Sequence, residues 1–282
     1  MPKKPIKAGL LGRPVSRSLS PAVFSVFSAL LGENISYELK DCSPQELEHL
    51  IPALAAEGWF GFNITLPYKK EVRKLLNLAD PAASACGAVN AARFGRSGLE
   101  GMNTDAHALK HALEHSGFKA AGKAAAVFGS GGAAAAAGWA LGRSAAAAVT
   151  FHARDQVAAG KLARCLGAAF PATDFKTAPF AVPDAATSVF VNATPIGMYA
   201  PGLPPCAPAA GQLCADFAYL REGTEFCRAA ARAGAAAIDG LDLLVWQAAL
   251  SLRFWAGLPA GDIVEFQRKA RAALDAALKG GS

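Results

Sequence analysis

Ala124 to Phe128 is an unbroken apolar run, and Gly129-Ser130-Gly131-Gly132 follows it directly, ahead of the alanine-rich stretch Ala133 to Leu141. A short apolar run closed by glycines reads as a strand buried on both faces, which belongs in a parallel sheet covered by helices. Strand, glycine loop and helix in that order form a nucleotide-binding turn. The glycines let backbone approach a pyrophosphate, and the helix N-terminus faces its charge. Alanine-rich low complexity imitates a lone glycine loop, so the flanking strand and helix carry the weight. A second strand, Ala146 to Phe151, ends at His152-Ala153-Arg154-Asp155. That is roughly the ~20-residue spacing at which a ribose-reading side chain is expected.

A second constraining stretch is Gly61-Phe62-Asn63-Ile64-Thr65-Leu66-Pro67-Tyr68-Lys69. Phe62, Ile64 and Leu66 alternate with Asn63 and Thr65, the pattern of a half-buried strand, and Pro67 should end it. Lys69 then opens a helix running to Leu76. A solvated lysine is the bland alternative. A second polar cluster, Gly101-Met102-Asn103-Thr104-Asp105, also sits where a short strand meets a helix. A lysine and an aspartate brought together at such ends make an acid/base pair.

Around these stretches the chain alternates strands and helices. Ile6 to Leu11 reads as the first strand, and Pro21 as the first residue of a helix to Leu31 with Ser20 as its N-cap. Ser18 and Ser20 also place two hydroxyls at that helix N-terminus, where an anion is favoured. Ile35 to Lys40 is a strand, and Pro44 to Ala56 a helix begun by Ser43. Ala88 to Phe94 and Leu99 to Met102 form a hairpin, and a helix runs from Asp105 to His115. Later strands are Val189 to Asn192, Leu213 to Phe217 and Ala235 to Ile238, with helices over 221–233, 243–255 and 262–278. Gln247 is polar among apolar neighbours, either a buried structural amide or a ligand contact.

At 282 residues the chain suits one large domain or two medium ones, with a sizeable core. Its lysines and arginines are scattered, without a basic run or aromatic-basic interleaving, so a nucleic-acid partner is not expected. A net charge of +6 instead suits small anionic ligands. The six cysteines form no Cys-x-x-Cys pair and lie near no histidine ligands, which supports neither a metal site nor a disulfide framework. The early apolar run, Ala8 to Leu11, is too short for a signal peptide, and no later run is long enough to span a bilayer. A cytoplasmic protein with no membrane partner is the expectation.

Taken in order, eight short motifs resemble the shikimate dehydrogenases, including their quinate/shikimate relatives. They are Ser18-Leu19-Ser20-Pro21, Gly61 to Lys69, Gly87-Ala88-Val89-Asn90 and Asn103-Thr104-Asp105 in the first part of the chain. Gly129 to Ala133, Asn192 to Met198, Asp216 to Tyr219, and Asp239-Gly240-Leu241 leading to Gln247 complete the series. The resemblance implies two α/β domains with the active site in the cleft between them. Residues 1–105, completed by helices 241–282, would bind substrate, and 106–240 would form a Rossmann-like dinucleotide domain. It implies a hydride-transferring oxidoreductase acting on 3-dehydroshikimate/shikimate, using NADP or NAD, as a monomer or homodimer.

Carried over by position, Lys69 and Asp105 form the catalytic pair, and Ser18 and Ser20 hold the substrate carboxylate. Thr65, Asn90, Asp105 and Gln247 bind its hydroxyls, with Tyr219 near the substrate. Gly129, Ser130, Gly131, Gly132, Ala133, Arg154, Asp155, Thr194 and Gly240 serve the dinucleotide. The residue types suit alcohol oxidation, in which a hydroxyl proton leaves as hydride departs from the same carbon. Arg154 suits a 2′-phosphate and so NADP, whereas Asp155 suits ribose hydroxyls and so NAD. The sequence departs from the family at Phe24 and Ser25, where a histidine or similar polar pair is usual, and at Ala91, Ala135 and Leu243. The rival readings are a quinate dehydrogenase or related paralogue, a folate-type dehydrogenase, and a non-catalytic dinucleotide- or metabolite-binding regulator. Retention of both Lys69 and Asp105 argues against the last, and the paired serines with Asn103-Thr104-Asp105 against the folate type.

Overall fold

The structure, a computed structural model, describes residues 4–280. The chain forms two compact units, Met1–Thr104 with Val245–Ser282, and Asp105–Leu244.

In the first unit β1 (Ile6–Gly12) runs parallel to both β2 (Ile35–Asp41) and β3 (Gly61–Ile64). Two-residue β4 (Leu78–Ala79) closes the far edge of this sheet. Between them β3 pairs antiparallel with β5 (Ala91–Gly95), and β5 with β6 (Gly98–Met102), giving the order β2-β1-β3-β5-β6-β4. The half-buried strand expected at Phe62 to Leu66 is corrected here. β3 stops at Ile64 and all four of its residues are buried, while Leu66 is exposed. Asn63, on this central strand, is therefore a buried polar group.

Helix α1 (Ser20–Leu31) also departs from expectation. Leu19 holds the N-cap position, no side chain caps the helix, and Ser20 is already its first residue. By contrast α2 (Pro44–Ala56) begins with the anticipated Ser43 in a full capping box with Glu46. Short helices α3 (Lys69–Leu75) and α4 (Pro81–Cys86) follow β3 and β4. The chain passes from one unit to the other within two long helices, α5 (Thr104–His115) early and α9 (Gly240–Ala256) late.

The aromatic core of the first unit explains Phe24. Its ring stacks on Tyr37 at 4.1 Å and on Trp255 of α9 at 5.8 Å, and it is fully buried. Phe27 packs against Phe266 of α10 (Ile263–Gly280) at 5.0 Å, so both C-terminal helices close this core.

The second unit is a parallel sheet of six strands. β7 (Ala124–Phe128), β8 (Ala148–Ala153) and β9 (Asp174–Pro179) run to one side, with β10 (Thr187–Asn192), β11 (Leu213–Asp216) and β12 (Ala236–Ile238) on the other. The order β9-β8-β7-β10-β11-β12 is the doubly wound arrangement, whose chain reversal lies between β7 and β10. Helices α6 (Gly132–Arg143), α7 (Gln156–Ala169) and α8 (Glu225–Arg232) form the crossovers. The helix expected from Arg221 starts only at Glu225, because Thr224 accepts from the Cys227 N–H and caps it. Among the described residues no helix is long and apolar enough to cross a membrane.

Candidate active site

Groups from β2, from the segment before β5 and from α9 converge on Asn63 in β3. Its Oδ1 accepts from the Tyr37 hydroxyl at 2.9 Å. Its Nδ2 donates to the Asn90 carbonyl at 3.0 Å and to Ser251 Oγ at 2.9 Å. Asn90, just before β5, accepts the Thr104 N–H on Oδ1 at 2.6 Å, and its Nδ2 lies 2.9 Å from Thr104 Oγ1. Asn103 donates to the Ala88 carbonyl at 3.0 Å, which fixes the segment leading to Asn90. Asn63, Asn90, Asn103 and Thr104 are all buried, and each buried polar group has found a partner.

The other candidates of this unit are less enclosed. Lys69 is the first residue of α3, half-buried, and its carbonyl accepts the Val89 N–H at 3.0 Å. The backbone carrying Lys69 is thereby tied one residue away from Asn90. Thr65 is half-buried and starts the turn that ends in Lys69. Ser18 Oγ lies 3.1 Å from Ser20 Oγ and accepts the Ser20 N–H at 3.2 Å. The two serines thus form one hydroxyl pair at the uncapped start of α1, with Ser20 buried and Ser18 partly exposed. Gln247 is buried on α9, and its carbonyl accepts from Ser251 at 2.7 Å. A groove of about 400 Å³ between α1 and β2, lined by Pro21, Ser25, Ser28 and Tyr37, contains none of these candidates.

In the second unit the glycine turn sits at the chain reversal. Gly129 has φ +119°, and a Cβ there would meet the Ala193 carbonyl oxygen at 2.8 Å, so the loops after β7 and β10 touch through a residue only glycine can supply. Gly131 occupies the N-cap of α6, with no side-chain cap and no acidic residue in the first turn. The orphan N–H groups of that turn, bordered by Ser130, Gly132 and Ala133, therefore fit an anion such as a pyrophosphate. Thr194 is held by Asn192, its hydroxyl donating to Asn192 Oδ1 at 2.6 Å. Arg154 and Asp155 are both exposed beyond β8, but they differ in commitment. Asp155 accepts the Ala158 N–H at 2.9 Å as the N-cap of α7, whereas Arg154 forms no ion pair among the described residues.

Asp105, half-buried, is the second residue of α5. Tyr219 is half-buried beyond β11. Gly240 opens α9 so close to the chain that a Cβ would lie 2.1 Å from the Ala218 carbonyl oxygen.

One residue of a motif read from the sequence was given no role there. Asp216, fully buried at the end of β11, accepts from the Ala218 N–H at 2.9 Å, Asn192 Nδ2 at 2.8 Å and Thr224 Oγ1 at 2.6 Å. Burial pushes its carboxyl up to about 6, against those three hydrogen bonds, which pull it down. It ties together the loops after β10 and β11 and the start of α8. An aspartate inside an apolar strand run was the available signal. The buried thiols of Cys214 and Cys227 are pushed up to about 12, so neither offers a thiolate nucleophile.

A parallel sheet in doubly wound order, an uncapped glycine turn at its chain reversal and a separate α/β unit rich in ordered amides define a dinucleotide-binding α/β protein. Comparison with known proteins narrows the class. Residues 10–92 match the family model of the shikimate dehydrogenase substrate binding domain. The NADP(+) shikimate dehydrogenase of Anaeromyxobacter sp. (strain Fw109-5) is 41% identical over 262 residues, covering 89% of this chain and 91% of its own. The shikimate 5-dehydrogenase of Thermus thermophilus, solved in complex with NADP(H) and shikimate, is 31% identical with a TM-score of 0.78, covering 95% of this chain and 99% of that one. The ligand-free 5-ketofructose reductase of Gluconobacter sp. strain CHM43 superposes with a TM-score of 0.85 at 26% identity, covering 97% of this chain and 99% of that one. The chain belongs to the shikimate dehydrogenase family.

Proposed function

We propose that this protein interconverts 3-dehydroshikimate and shikimate with NADP(H) as the hydride carrier. The observation that carries the reading is the first unit's array of ordered polar groups. The Asn90 amide is fixed by Thr104, Lys69 is tied by its carbonyl to the neighbouring Val89, and a serine pair sits at an uncapped helix start. Such an array suits a ring bearing several hydroxyls and one carboxylate. Ser18 and Ser20 take the carboxylate. Thr65, Asn90, Asp105, Gln247 and Tyr219 take the ring and its hydroxyls. In the reducing direction the substrate carbonyl gains hydride on carbon while Lys69 gives the proton to oxygen, and in the oxidising direction Lys69 takes that proton back. Asp105 orients the lysine and the hydroxyl. The nicotinamide supplies or accepts the hydride when bound. Gly129 to Ala133, Thr194 and Gly240 hold the dinucleotide.

The commitment of Asp155 to the α7 cap leaves Arg154 as the side chain available to a 2′-phosphate, which favours NADP over NAD. The test is a panel of shikimate, quinate and 5-ketofructose with both nicotinamides, followed by absorbance. The highest kcat/KM is expected for shikimate with NADP. Turnover of quinate or 5-ketofructose without turnover of shikimate would refute the assignment. The neutral sugar is a sharp control, because it has no carboxylate for Ser18 and Ser20 to hold.

A further inference from the structure

We infer that Ser251 is a positioning residue for the substrate site, setting the amide of Asn90 through Thr104. The inference rests on the proposed role of Asn90 in holding a substrate hydroxyl.

Hydrogen positions in this cluster are determined by three backbone groups. The Thr104 N–H can only donate, so the Asn90 atom 2.6 Å from it is the amide oxygen, and Nδ2 faces Thr104 Oγ1 at 2.9 Å. The Asn90 carbonyl can only accept, which fixes Nδ2 of Asn63 toward it at 3.0 Å and Oδ1 toward the Tyr37 hydroxyl. The Gln247 carbonyl, one helical turn before Ser251, takes the Ser251 hydroxyl hydrogen at 2.7 Å. Ser251 Oγ is then left as an acceptor. It receives Asn63 Nδ2 at 2.9 Å and Thr104 Oγ1 at 3.2 Å.

One self-consistent chain results: Asn90 Nδ2 donates to Thr104, Thr104 to Ser251, and Ser251 to the Gln247 carbonyl. Ser251 and Thr104 are fully buried, so no water replaces a lost member at low cost. Among the described residues Asn90 keeps one amide hydrogen uncommitted, the one it would give to a substrate hydroxyl. Removing the Ser251 hydroxyl frees the Thr104 O–H to turn to Asn90 Oδ1, 3.1 Å away, and leaves a buried Asn63 hydrogen unpaired. Asn90 Oδ1 stays on the Thr104 N–H, but the Thr104 hydroxyl that receives Nδ2 is no longer held by Ser251, so the amide loses its second anchor. Ser251 touches no reacting atom in this scheme and acts only through its neighbours.

The experiment compares Ser251→Ala, Asn90→Ala and the double variant by steady-state kinetics with shikimate and NADP. Ser251→Ala is expected to raise KM for shikimate on the order of tenfold while KM for NADP stays at the wild-type value. In the Asn90→Ala background it is expected to raise KM no further, because the group it positions is gone. A merely structural role would lower the melting temperature in both backgrounds without separating the two KM values. An unchanged KM for shikimate, equal changes in both KM values, or additive effects would each overturn the inference. If Asn90→Ala itself leaves KM unchanged, the assignment of Asn90 is what fails, together with this inference. Should Ser251→Ala not fold, Thr104→Val and Thr104→Ser decide. The serine is expected to keep KM within about twofold and the valine to raise it on the order of tenfold, and equal values for the two would refute the chain.

Discussion

In the proposed reaction single side chains carry the chemistry, and two of them invite direct tests. Lys69→Ala should cut turnover roughly 10²–10⁴-fold, the usual contribution of a positioned acid/base, while shikimate still binds. Near wild-type turnover in that variant would remove Lys69 from the mechanism. Ser18 poses a finer question, since a serine at a helix start is normally read as a cap. No side chain caps α1, and Ser18 instead meets the Ser20 hydroxyl and N–H. Ser18→Ala is therefore expected to raise KM for shikimate with a small change in melting temperature. A lower melting temperature with unchanged KM would leave the hydroxyl pair with a purely local role. The candidate residues were legible because Ser18, Lys69, Asn90 and Asp105 sit in short motifs at strand and helix ends. Ser251 was not. A serine four residues past Gln247 on an apolar helix looks like any small helix residue until Asn63 and Thr104 are folded against it.

Elements were readable where local signals agreed with the tertiary context. Ser43 before Pro44, with Glu46 three residues on, announced α2 to the residue. The apolar run Ala124 to Phe128 is β7 with unchanged ends. Other stretches carried weaker signals. β9 is an edge strand whose residues are mostly exposed, so Asp174 to Pro179 has no hydrophobic alternation to read. Helix α7 buries only Ala159, Leu162 and Leu166 out of an alanine- and glycine-rich span, too thin a stripe to stand out. Missing that helix also hid its cap, and Asp155 was weighed only as a ribose contact. The cap makes a prediction at this scale. Asp155→Ala should lose about 0.5–2 kcal/mol of stability, and Asp155→Thr, which can still cap, much less. Arg154→Ala, next to it, should leave stability alone and shift the ratio of kcat/KM values toward NAD. Melting curves and both cofactor assays on the three variants separate the roles. A full shift toward NADP in Asp155→Thr with no change in Arg154→Ala would reverse them.

At the scale of the whole molecule, carboxylates pull the response to pH in opposite directions. Glu46, Glu225 and Glu265 are held below the usual range, Glu46 by its capping hydrogen bonds and the other two by basic partners on their own helices. A depressed value gives stability that is present above about pH 4.5 and lost as pH falls through the folded value, though fully exposed groups contribute little. Asp216 acts in the other direction. Its folded value of about 6 lies above the ordinary 3.8, so the native state holds its proton more tightly than the unfolded chain between those limits. Its contribution is therefore complete below pH 3.8 and is lost as pH rises through 6. A shift of roughly two units corresponds to about 3 kcal/mol over that window. Asp216→Asn removes the titration. At pH 4 the variant should be the less stable protein, because its amide presents hydrogens to at least one of the donors, on Ala218, Asn192 and Thr224, that Asp216 now accepts from. As pH rises to 7 the wild type loses the contribution of its proton and the variant does not, so the gap between them should narrow. Thermal unfolding of both proteins at half-unit steps from pH 4 to 7.5 measures this. Parallel curves across that range would mean that Asp216 keeps one charge state throughout, and that its three hydrogen bonds outweigh its burial.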